Sequence, residues 1–154
     1  KHHEHAVKVP MVNFGEVYDK IKPALVLLDV EGMEVELLSC IKDRLAAPTE
    51  GRLRPYLWIE DDREEHHQPL MQLLDDCGYR PFWAITPLSP EGADVAAGPF
   101  PLQCSFNILA VPAERPLPIQ GLPRANMKDR VGECPGSWIV SKFERIDTPV
   151  GDVV

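Results

Sequence analysis

Residues 24–34 read ALVLLDVEGME, an apolar run broken by Asp29 and closed by Glu31, Gly32 and Glu34. The run is continuous rather than alternating, which predicts a parallel strand over 24–30 covered on both faces. From Gly32 onward the period changes. Met33, Leu37, Leu38, Ile41 and Leu45 recur at helical spacing, predicting a helix through about Leu45 that Pro48 and Gly51 end. A strand that passes through a glycine into a helix opens a βα unit. It puts Asp29 at the carboxyl end of the strand, with Glu31 and Glu34 on or near the first turn of the helix.

The neighbouring segments extend the pattern. Upstream, Asn13 and Glu16 have capping-box spacing ahead of a short helix FGEVYDKI (14–21), which stops before Pro23. Downstream, PYLWIE (55–60) reads as a second buried strand, again closing on acids. PLMQLLDDCGY (69–79) reads as a helix with Pro69 in its first turn and Gly78 at its end, leaving 62–67 as loop. YRPFWAI (79–85) is a third strand, placed at an edge by Pro81, and CSFNILAV (104–111) is a fourth. No helix separates the last two, so the fourth is expected to run antiparallel. The long connection 86–103 is of the kind that serves as an active-site lid. Residues 1–112 therefore form one α/β unit, and 113–154 a Pro-rich extension with one added strand at 137–143.

In an open α/β sheet, ligands bind beyond the carboxyl ends of the parallel strands. Asp29 and Glu60 end consecutive strands, so their carboxylates are expected to face one crevice. Near a helix start Glu31 and Glu34 have a second explanation, complementing the macrodipole. Asp61 and Asp62 read as solvated or capping. His66 and His67 follow the second strand and are candidate bases, although such a pair is more often just exposed. Asp29, Glu31 and Glu60 are also oxygen ligands of the type Mg²⁺ takes, with weak support. His2, His3 and His5 read as a terminal tail rather than a metal site. Trp58, Phe82 and Trp83 lie inside strand patterns and read as core.

The 154 residues suffice for one domain with a real core. A net charge of -8, with no basic cluster, argues against nucleic acid as the partner. No apolar run approaches the roughly 20 residues that span a bilayer. The N-terminus has no apolar core and so does not read as a secretory signal. Four widely spaced cysteines, without a CxxC pair, give neither a disulfide framework nor a zinc pattern and point to a reduced, cytoplasmic setting.

LVLLDVEGMEVELL, then RPYLWIE, LLDDCGY and FNILAVP, resembles in order the FkbM-type family of S-adenosylmethionine-dependent methyltransferases. The match covers about residues 8–112. The D-x-E-G-x-E piece at 29–34 is moderately specific, and the ordered set of four is more so. The resemblance implies a partial Rossmann-like methyltransferase sheet, family strands four to seven, with the last strand antiparallel between the fifth and sixth. It implies S-adenosylmethionine as cofactor and methyl transfer to a hydroxyl of a sugar, lipid or secondary metabolite. Asp29, Glu60, Glu31 and His66 would be catalytic, and Asp29 and Gly32 would touch the cofactor. One departure is serious: nothing here matches the glycine-rich cofactor loop or the ribose-binding acid that follows it. The chain would then be the C-terminal half of a catalytic domain, with strand 24–30 lacking its outer neighbour. That edge is expected to pair with another copy, with an upstream methyltransferase half, or with a segment of 1–12 or 137–143. Two other readings stay open, a non-catalytic interaction module using the same edge and a small metal-dependent hydrolase using the acids.

Overall fold

The computed structural model describes residues 8–46, 53–87, 104–131 and 133–134. The helical elements are α1 (Phe14–Ile21), α2 (Glu34–Cys40), α3 (Lys42–Ala46) and α4 (Glu64–Asp76). The strands are β1 (Leu25–Leu28), β2 (Tyr56–Glu60), β3 (Tyr79–Pro87) and β4 (Cys104–Pro112). They form one mixed sheet in the order β1-β2-β4-β3. β1 and β2 are parallel, while β4 runs antiparallel to both β2 and β3. The protein is thus mixed α/β, a four-stranded sheet flanked by helices. The last strand runs antiparallel, as expected from the sequence. Among the described residues no helix is long and apolar enough to cross a membrane.

One sheet face carries the main core. Val26 and Leu28 of β1, Leu57 and Ile59 of β2, and Ile108 of β4 point toward the helices. Leu38, Ile41 and Leu45 meet them from α2 and α3, and Leu70 and Leu74 from α4. The other face is covered by chain that follows β4: Leu117, Ile119 and Leu122 pack on Tyr56, Trp58 and Phe82. β3 is an edge strand, consistent with Pro81. Its outer side is bonded by a short segment, with Trp83 N–H donating to the Pro123 carbonyl and Ala125 N–H to the Pro81 carbonyl.

Three details depart from the sequence reading. Among the described residues β1 is not covered on both faces: Leu25 is 56% and Leu27 65% exposed. The helix expected from Gly32 to Leu45 breaks at Ile41, whose φ of -118° leaves helical geometry, and Met33 is exposed rather than core. The helix expected from Pro69 starts at Glu64 instead, with Pro69 inside it. A proline there removes the N–H that would bond the Glu65 carbonyl and crowds that carbonyl with its ring, a cost set against the burial of Leu70, Leu73 and Leu74. Most of the long connection 86–103, the strand at 137–143 and the histidines at 2, 3 and 5 lie outside the described residues.

Candidate active site

The parallel register pairs Leu28 with Ile59, so the next positions, Asp29 and Glu60, leave the sheet side by side. Glu60 is half-buried and lies beside Asp29, whose negative charge acts on it. On its other side Glu60 is the register partner of Asn107 in β4, a buried amide that donates to Ser105 Oγ over 2.7 Å. Partial burial comes first in raising the Glu60 pKa; the negative charges of Asp62, Asp29 and Glu31 add to it, and the carboxyl is pushed up to about 7. A carboxyl with that value carries and releases a proton near neutrality, as a general base or acid must.

The turn between β1 and α2 is built by Glu34. Its Oε1 accepts from the backbone N–H of Val30 over 3.0 Å and of Gly32 over 3.3 Å, although the residue is only 4% exposed. Burial works against this charge, but the backbone donors outweigh it and hold the carboxyl below its usual range. Glu34 is therefore a structural cap. Two consecutive residues take positive φ to make the turn, Glu31 at 56° and Gly32 at 98°. At Gly32 a Cβ would lie 2.5 Å from Arg63 Nη1 and 3.0 Å from His66 Cε1.

This geometry sorts the predicted residues. Glu60 and His66 line one crevice with Glu34, Asp61, Asp62 and Arg63, too narrow in this structure to admit a water molecule, and Asp29 lies next to Glu60. His66 lies in the first turn of α4 rather than in a loop. Glu31 points outward, its side chain 84% exposed, and accepts from Arg63 Nη2 over 3.1 Å. Gly32 is required by the turn, and the space beside it is filled by Arg63 and His66 rather than open to a ligand. Among the described residues no group of three or more His, Cys, Asp or Glu side chains is disposed to hold a metal ion.

The residues present do not fit S-adenosylmethionine by themselves. The chain carries no glycine-rich strand–loop–helix for the nucleoside and sulfonium, and the Gly32 turn is closed. What the crevice offers is a proton-accepting carboxylate, a second carboxylate beside it and an imidazole.

The least expected residues are Asp61 and His67, which read as surface from sequence and are 2% and 1% exposed. His67 Nδ1 lies 2.6 Å from Asp61 Oδ2, and its ring stacks on Trp83 at 5.3 Å. The helical spacing of His67, Leu70, Met71 and Leu74 is the signal that would have placed this histidine on the buried stripe. Comparison of the chain with protein-family models, with curated proteins and with solved structures returns no match.

Proposed function

We propose that the chain is the acceptor-side half of an S-adenosylmethionine-dependent methyltransferase domain of the FkbM type. It would act on a hydroxyl of a sugar, lipid or secondary metabolite in a reducing, cytoplasmic setting. The observation that carries this reading is the strand order, with antiparallel β4 seated between β2 and β3 and acids at the carboxyl ends of parallel β1 and β2. In this reading the four strands correspond to the fourth to seventh of a Rossmann-like methyltransferase sheet. The cofactor, a source of electrophilic methyl, is held by a separate segment paired with β1. The part of this chain is proton handling and positioning. Glu60 accepts the proton of the acceptor hydroxyl, the negative charge of Asp29 strengthens its hold on that proton, and His66 faces the same crevice. Titration calorimetry with S-adenosylmethionine tests it: no binding to the chain alone, and binding once an upstream glycine-rich half is added. Absence of binding in both arms sinks it.

A second reading rests on a different observation, the bare apolar face of β1. Leu25 and Leu27 are exposed beside half-buried Tyr56 and Trp58, and β1 has no second strand partner among the described residues. On that reading the chain is a non-catalytic interaction module, and β1 is the contact in either case.

A further inference from the structure

The Asp61–His67 pair belongs to no step proposed above, yet it has a defined proton count. His67 Nε2 lies 2.9 Å from the carbonyl oxygen of Asn126, which can only accept, so Nε2 carries a proton. His67 Nδ1 lies 2.6 Å from Asp61 Oδ2, a separation that requires a second proton between them, on nitrogen or on oxygen. A carboxylate and a bare imidazole nitrogen would otherwise face each other lone pair to lone pair. Asp61 Oδ1 is also buried and accepts no hydrogen bond from the described residues, so solvent does not relieve that charge.

The third member, Asn126, sits in chain 123–131, which crosses α4 and the edge of β3 as a strap. Asn126 is locked to Asp129, which accepts from Trp83 Nε1 over 2.9 Å, and Glu64 accepts from the Val131 N–H over 2.9 Å. Beside the strap lies a pocket of about 280 Å³, open to solvent and bounded by Met71 and Asp75 of α4, Pro81 of β3, and Arg124 to Met127. Asp61 and His67 are thus the buried end of the attachment that holds one wall of this pocket.

We propose that the Asp61–His67 pair is a proton-held clasp, and that loss of its shared proton releases residues 126–131 and with them one wall of the pocket. Burial opposes a charged His67 ring, but the Asp61 bond, the Asn126 carbonyl and the charge of Asp129 outweigh it and raise its pKa. Burial likewise raises Asp61, and Asp62 and Glu64 act in the same direction. The remaining titratable neighbour, Cys134, is raised to about 11 by burial and by Asp129, Asp61 and Glu64, so its thiol stays neutral over the range of interest. The closed strap keeps a proton that an exposed histidine sheds above its ordinary value of 6.5. Attachment is therefore complete below that value and weakens as pH rises toward the value of the closed pair.

Trypsin cleavage after Lys128 and Arg130, in the 154-residue chain and normalised to an unstructured peptide of the same sequence, reads strap opening. One proton of linkage predicts a normalised rate that rises with pH above the ordinary histidine value, by at most about tenfold per pH unit, and levels off at the value of the closed pair. In Asp61→Asn the amide donates to His67 Nδ1 and Nε2 still donates to Asn126, so no proton is left to lose. Its rate is expected to stay flat with pH. A wild-type rate that is flat, or one that rises equally in Asp61→Asn, overturns the proposal. Should Asp61→Asn fail to fold, the His67 ring nitrogens of the wild type decide by NMR. Their titration must coincide with the rise in cleavage, and a ring that titrates with no change in cleavage overturns the clasp.

Discussion

Arg54 Nε donates to Glu114 Oε1 over 2.9 Å, joining the residue two before β2 to the chain just beyond β4. The same guanidinium donates to the Leu45 carbonyl over 2.9 Å and to the Cys77 and Gly78 carbonyls, and its side chain is 7% exposed. One cation thereby ties together the ends of α3, α4 and β4. Arg54→Ala leaves three carbonyls and a carboxylate short of a donor, and is expected to lose about 3–5 kcal/mol, read from the urea midpoint. Arg54→Lys recovers only part of this, because an ammonium lacks the planar fork.

Glu60 gives a pH signature. Its folded pKa of about 7 stands above the ordinary 4.5, so the folded state holds more protons than the unfolded one between those values. Stability from this group is complete below 4.5 and falls as pH rises through 7. Glu60→Gln removes the effect. Melting temperatures should match the wild type near pH 4 and exceed it at about pH 8. A variant less stable than wild type at the higher pH would contradict the carboxylate environment described.

At the β1–α2 turn, two substitutions separate backbone from side chain. Gly32→Ala asks a Cβ to exist at φ 98°, and is expected to cost about 1–3 kcal/mol by chemical denaturation. Glu34→Gln keeps the shape but weakens acceptance from Val30 and Gly32. Because the folded Glu34 pKa is lowered, the wild-type advantage exists above 4.5 and disappears as pH falls through the folded value. Denaturation midpoints of the two chains should therefore converge in acid.

The uncovered face of β1 predicts association. Leu25→Thr with Leu27→Lys puts polar groups on the bare face and, on an edge strand, discourages pairing. Sedimentation velocity should show concentration-dependent association of the wild type and a monomer for the double variant. A monomeric wild type at all concentrations would remove β1 as a contact surface.

Much of the sheet was legible. The buried strand runs at 55–60 and 104–111 announced β2 and β4 to within a residue, because an apolar run closed by acids or proline has few other solutions. The neighbouring of Asp29 and Glu60 followed from parallel order alone. Less legible was everything decided by a distant partner. The 24–30 run looked fully covered because sequence reports the apolar character of Leu25 and Leu27, not whether a layer lies over them. α4 was started too late because Pro69 was assigned the one position where proline costs nothing. Asp61 and His67 each look like surface residues; only together, as a neutralised pair against Trp83, do they become core.

The bridge between Phe82 and Arg124 has a consequence for assembly. A sheet with two bare margins can add copies at both and grow without limit. Among the described residues the chain's own Pro123–Ala125 segment bonds the β3 margin at Pro81 and Trp83, which obstructs the addition of another strand there. A pairing of like copies through β1 uses the same surface twice and closes on itself. Such a contact makes pairs rather than a filament.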